Sequence, residues 1–121
     1  MVGSPLILIV DDDPAVRTSL ERLMKSAGFR AVSFASTEKF LDTPQEDEIA
    51  CLVLDMALPG ANGQVLQQRL AAEKRAIPIV FVSAHDEPHV RAQALQAGAI
   101  AFLSKPFDEA ALLKAIHSVL R

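Results

Sequence analysis

The stretch Leu6-Ile7-Leu8-Ile9-Val10-Asp11-Asp12-Asp13-Pro14 decides the fold. Five apolar residues without polar alternation read as a strand covered on both faces, since an open sheet would show every second residue polar. Three aspartates end it abruptly. Asp13 followed by Pro14 is a natural N-cap and first helical position, because the carboxylate can accept from free amides and proline has none to waste. Beyond it, Val16, Leu20, Leu23 and Ala27 share one helical face, and Gly28 supplies a helix stop. The unit is therefore strand, acidic turn, helix.

That unit repeats along the 121 residues. Apolar runs at Ala31–Phe34, Ile49–Leu54, Ile77–Val82 and Ala99–Leu103 predict four more strands. Between and after them lie four helical patterns. One is short, from Ser36 to about Leu41, before Pro44 and the acidic Glu46–Glu48 loop. The next runs from about Gly63 to Lys74, with Val65, Leu66 and Leu70 expected inward and Lys74 and Arg75 suiting the C-terminal dipole. Another begins near Asp86, carries Pro88 in its first turn and ends at Gly98. The last is capped by Asp108 and expected to bury Leu112, Leu113, Ile116 and Leu120. Five strand–helix units in strict alternation predict an α/β fold, a parallel sheet with helices on both faces.

Composition narrows the function classes. Half the residues are hydrophobic and 22% are charged, an ordinary globular balance that excludes disorder and collagen-like fibres. The length suggests one domain, residues 1–121, with no room for a second core. Apolar runs stop at five or six residues, against the roughly 20 a bilayer span needs, so no membrane segment is expected. Met1 to Pro5 has no basic residue, and no signal-peptide pattern follows. A net charge of −3 argues against strong nucleic-acid binding by this chain alone. Cys51 is the single cysteine and reads as a small core residue of a cytoplasmic protein.

Ligands of open α/β sheets collect outside the carboxyl ends of the strands, so the residues just after each strand matter most. Those are Asp11, Asp12 and Asp13, then Asp55, then Ser83, and finally Ser104, Lys105 and Pro106. If the strands bearing them are neighbours, carboxylates, a hydroxyl and an ammonium meet on one rim. Two carboxylates 4 Å apart repel by about 4 kcal/mol at a surface-like dielectric, so the cluster calls for a hard cation such as Mg²⁺. Carboxylate nucleophile, cation, ammonium and hydroxyl together suit a phosphoryl group.

The runs Leu-Ile-Val-Asp-Asp-Asp-Pro at 8–14, Leu-Asp-Met-Ala-Leu-Pro-Gly at 54–60 and Asn-Gly at 62–63 add a sharper signal. Val-Ser-Ala at 82–84, Ala-Gly-Ala at 97–99 and Ser-Lys-Pro-Phe at 104–107 complete it. In this order and at these distances they resemble the receiver domain of two-component response regulators, across about residues 5 to 121. The resemblance is to receivers that precede a helix-turn-helix output domain, although no such domain is visible in the chain.

The resemblance implies a flavodoxin-like (βα)5 three-layer sandwich with strand order 2-1-3-4-5. It implies that Asp55 accepts a phosphoryl group from a histidine kinase or phosphotransfer protein. Mg²⁺, for which Mn²⁺ could substitute, would be held by Asp12 directly, Asp11 mainly through water, Asp55, and the backbone carbonyl of Ala57. Ser83 matches the switch hydroxyl, Lys105 the phosphate-contacting lysine, and Phe102 the switch aromatic, here without a phenolic hydroxyl. Phosphorylation is expected to draw Ser83 toward the phosphoryl oxygens and let Phe102 turn inward. The face made by the fourth helix, fifth strand and fifth helix would then control an output domain or partner protein, or a phosphorylation-dependent homodimer, in transcription regulation. Ala57 and His85 match the positions that govern dephosphorylation, and the Lys105–Pro106 peptide is expected to be cis.

Two other classes compete. Asp11-x-Asp13 superficially fits a haloacid-dehalogenase-like phosphatase, but Ala15 and Lys105-Pro106 stand where that class wants a small hydroxyl residue or Val and an acidic pair. A phosphorylation-independent interaction module would be expected to have lost Asp55 or Lys105. His89 and His117 read as surface residues, and no Gly-rich phosphate loop, Cys-x-x-Cys or Gly-x-Ser-x-Gly element supports nucleotide, zinc or esterase chemistry.

Overall fold

A computed structural model of the chain describes residues 4–43, 48–57, 63–84 and 87–120. Strands β1 (Leu6–Val10), β2 (Arg30–Phe34), β3 (Ile49–Asp55), β4 (Ile79–Ser83) and β5 (Ala101–Ser104) form one sheet in the order β2-β1-β3-β4-β5. All four pairings are parallel. Helices α1 (Pro14–Ser26), α2 (Thr37–Asp42), α3 (Gly63–Ala72), α4 (Pro88–Gln96) and α5 (Glu109–His117) alternate with them. The sheet is the flavodoxin-like arrangement that the resemblance implies.

Side chains alternate across each strand, so the sheet feeds two cores. Ile7, Ile9, Cys51, Val53, Val80 and Val82 face α1 and α5, meeting Leu20, Met24, Leu112 and Ile116. Leu6, Leu8, Val10, Leu52, Leu54 and Phe81 face the other way, toward Phe40 of α2, Leu66 and Leu70 of α3 and Ala94 of α4. Burial on both faces explains the unbroken apolar runs of β1, β3 and β4. Leu113 of α5 and Leu120, three residues beyond its end, were both expected inward and are partly buried at the margin of the first core.

Helix ends follow the sequence closely. Asp13 accepts from Ala15 N–H at 2.9 Å, and Asp108 accepts from Ala110 N–H at the same distance. Gly28 and Gly98 stop α1 and α4 with φ of +90° and +107°, a region that glycine enters without a Cβ penalty. Helix α3 stops earlier than expected. Lys74, anticipated in the last helical turn, lies beyond it at φ +58° in the left-handed region.

One inward assignment is corrected: Val65 is 51% exposed. Helix α3 packs through Gly63, Leu66, Gln67 and Leu70, spaced three, one and three residues apart, which rotates Val65 to the outside. Gln67 takes a core position because its Nε2 donates to the carbonyl of Ala94 at 3.1 Å. Strand β4 starts at Ile79, two residues later than expected, since Pro78 has no N–H for the ladder.

Candidate functional site

Parallel strands end on the same side, so β1, β3, β4 and β5 deliver their last residues to one rim. The residue just past β1, Asp11, is fully buried, and its N–H donates to Phe34 O at 3.1 Å. Its Oδ1 accepts from Asp13 N–H at 2.9 Å, which closes the acidic turn and aims Oδ2 across the rim. Asp55 ends β3 and is 4% exposed, its Oδ1 accepting from Ala57 N–H at 3.1 Å. Ser83 ends β4 and is 1% exposed. The N–H of Lys105 donates to Ser83 O at 2.7 Å, tying the β5 turn to β4.

Lys105 closes the rim. Its Nζ lies 2.9 Å from Asp11 Oδ2 and 3.3 Å from Asp55 Oδ2, so one ammonium bridges residues 94 and 50 positions away. The Lys105–Pro106 peptide is cis, as expected. Asp12 is exposed beside the pair, and carboxylate oxygens of Asp11, Asp12 and Asp55 all lie within 4.8 Å of one another. Asp13 is absent from that group because its carboxylate caps α1. With that, the Asp11-x-Asp13 pairing of the phosphatase reading loses its second acid.

The electrostatics follow from geometry. Burial pushes the Asp55 carboxyl above the ordinary value of 3.8; the Ala57 N–H opposes this, Asp11 adds to it, and Lys105 opposes it. For Lys105, burial works against the charge, yet the hydrogen bond to Asp11 and the charges of Asp55 and Asp11 prevail and raise its pKa. The ammonium is thus held charged between the two acids. The fit to a hard divalent cation rests on the donors themselves. Three carboxylate oxygens within 4.8 Å of one another are close enough to share one ion, and all-oxygen donors suit a hard divalent cation.

Other assigned residues fall as follows. Ala57 is exposed at the lip of the site. Phe102 lies inside, 2% exposed, with its ring 6.1 Å from that of Phe81. His85 lies outside the described residues, as do Pro59, Gly60 and Asn62. Two arginines escaped the sequence reading. Arg17 Nη1 donates to the Asp11 carbonyl at 2.8 Å and braces the acidic turn from α1. Arg91 sits over Phe102 from α4. The position of Arg17, one helical turn after the Asp13 cap, was a usable signal; Arg91 reads as an ordinary solvated charge.

The chain belongs to the response regulator receiver domain family, whose model matches residues 7–117. It is 40% identical over 116 residues to the response regulator protein TmoT of Ectopseudomonas mendocina, covering 96% of this chain and 53% of that protein. It is 36% identical over 115 residues to the transcriptional regulatory protein FixJ of Bradyrhizobium diazoefficiens, covering 95% and 56%. The chain thus spans about half the length of these curated relatives. A crystal structure of a response regulator receiver protein from Burkholderia phymatum superimposes with a TM-score of 0.83 at 40% identity, covering 97% of this chain and 95% of that one. This is a two-component signalling domain homologous to transcription regulators. Among the described residues, no helix is long and apolar enough to cross a membrane.

Proposed function

We propose that Asp55 is the phosphoacceptor of a two-component phosphorelay, taking its phosphoryl group from a histidine kinase or phosphotransfer protein in the cytoplasm. The observation that carries this reading is the convergence on Asp55 of one ammonium and two further carboxylates. Lys105 Nζ lies 3.3 Å from Asp55 Oδ2, and Asp11 and Asp12 stand within 4.8 Å of it. An Asp55 oxygen attacks phosphorus, the phosphorus–nitrogen bond of the donor histidine breaks, and the imidazole leaves with the electron pair. Burial raises the basicity of the attacking carboxylate, while Lys105 keeps it ionised.

Lys105 and the hydroxyl of Ser83 then hold the equatorial phosphoryl oxygens. Mg²⁺ would be held by Asp12, Asp55 and the Ala57 carbonyl, with Asp11 acting through water, and it supplies neutralisation of charge on the transferred group. Ala57 and His85 set the access of hydrolytic water. The residues form a single receiver domain whose α4–β5–α5 face controls an output domain, a partner protein or a phosphorylation-dependent homodimer in transcription regulation.

The test is binding of beryllium fluoride, a mimic of aspartyl phosphate, followed by ¹⁹F NMR of bound fluoride. The wild type should bind only with Mg²⁺ present, and Asp55→Asn should not bind. Absence of binding by the wild type would overturn this reading in favour of a phosphorylation-independent interaction module.

A further inference from the structure

Helix α4 is thinly attached to the sheet. Among its described residues Ala94 alone is fully buried, and Val90 is partly so. With so little apolar area to fix its position, polar ties carry more of the attachment. One is Gln67, whose Nε2 reaches Ala94 O at 3.1 Å. The other is Arg91. It lies three residues before Ala94, on the inner side of the helix, and is half-buried.

Its guanidinium carbon stands 5.0 Å from the centroid of the Phe102 ring. Nη2 lies 3.5 Å from Ser104 Oγ. Phe102 and Ser104 are two apart in β5 and so share the face turned toward α4. A single side chain thus spans both, with the ring held between Arg91 above and Phe81 below, 6.1 Å away by centroids. A planar guanidinium is suited to this place because it stacks on an aromatic face while donating in its plane.

We propose that Arg91 is the positioning residue for Phe102, holding the ring inward and α4 against β5. Its consequence for signalling rests on the receiver reading above; the positioning itself does not. By that reading, what phosphorylation would change is the Arg91–Phe102 contact and, with it, the seating of α4.

The test uses 4-fluorophenylalanine incorporated at all six phenylalanines, with the Phe102 resonance assigned through Phe102→Leu and no beryllium fluoride present. Arg91→Met keeps length and bulk but removes the charge; Arg91→Gln serves as a second variant if Met perturbs the other five resonances. The proposal expects a solvent isotope shift and broadening at Phe102 only, with the outward-to-inward ratio raised roughly fivefold, the factor a partly exposed cation–π contact supplies. Arg91→Lys should restore part of the wild-type spectrum. A single buried Phe102 resonance in the neutral variants, unchanged from wild type, overturns it. Beryllium fluoride binding by the wild type is measured separately, so failure of the phosphoacceptor reading leaves this outcome standing.

Discussion

Cys51 and Asp55 lie in the same strand and are both buried, yet burial does opposite chemical work on them. The Cys51 thiol has apolar neighbours, and desolvation pushes it from 9.0 to about 12, so it stays protonated and inert. Thiol modification at pH 8 should be at least about a hundredfold slower in the native protein than in denaturant, because reaction must wait for opening. The sign for stability follows. Both states hold the proton below pH 9, and above it the unfolded thiol ionises first, so this residue's contribution is lost as pH rises toward 12. Asp55 instead has partners, and its raised carboxyl is only partly compensated by Lys105 and Ala57. In the absence of Mg²⁺, Asp55→Asn should melt a few degrees above wild type at pH 7, given about 4 °C per kcal/mol for a domain of this size. Its folded carboxyl binds protons more tightly than the unfolded one, so the gap should widen as pH rises from about 4 and close below it. A melting curve of the pair across that range checks it; a variant less stable than wild type at pH 7 would contradict the strain.

At the level of elements, the β1–α1 unit was legible almost whole, because caps and stops are local chemistry. Asp13, Pro14, Gly28 and Asp108 each act within a few residues of themselves. What the sequence hid was rotation and contact between elements. Val65 was assigned inward by hydrophobicity alone, whereas the packing face of α3 begins at Gly63 and admits Gln67. Gly63 itself is the tightest point. A Cβ there would stand 2.7 Å from Phe81 Cε1, 3.0 Å from Asp55 O and 3.1 Å from Met56 Cα. Gly63 N–H also donates to Met56 O at 2.8 Å, fixing the start of α3 against the end of β3. Gly63→Ala must therefore move either an aromatic ring in the core or the backbone that carries Asp55. It should cost about 1–3 kcal/mol, the usual range for overpacking, and lower the melting temperature accordingly. Loss of beryllium fluoride affinity beyond that of Gly28→Ala, which meets nothing within 4 Å, would show that the strain reaches Asp55. Equal affinity in the two variants would show that Phe81 absorbs it.

Across the whole molecule, the site is assembled from residues 11, 12, 55 and 105, so its charge balance is a property of the folded state. Unfolding scatters three carboxylates that now lie within 4.8 Å, and releases a repulsion that one lysine only partly offsets. The residue types were readable from strand ends; their distances depended on strand order and were not. A cation that binds the assembled cluster and ignores the unfolded chain must stabilise the fold by RT ln(1 + [L]/Kd). Mg²⁺ at ten times its dissociation constant would add about 1.4 kcal/mol, or roughly 5 °C for a domain of this length. Asp12 is the exposed member, so its removal should spare the buried Lys105–Asp11–Asp55 contacts while deleting a ligand. Asp12→Ala should accordingly melt near or slightly above wild type without metal, since one repulsive charge is gone. With Mg²⁺ at millimolar concentration the wild type should rise by several degrees and the variant by about one or less. An equal Mg²⁺ shift in wild type and Asp12→Ala would place the cation elsewhere and remove Asp12 from the site.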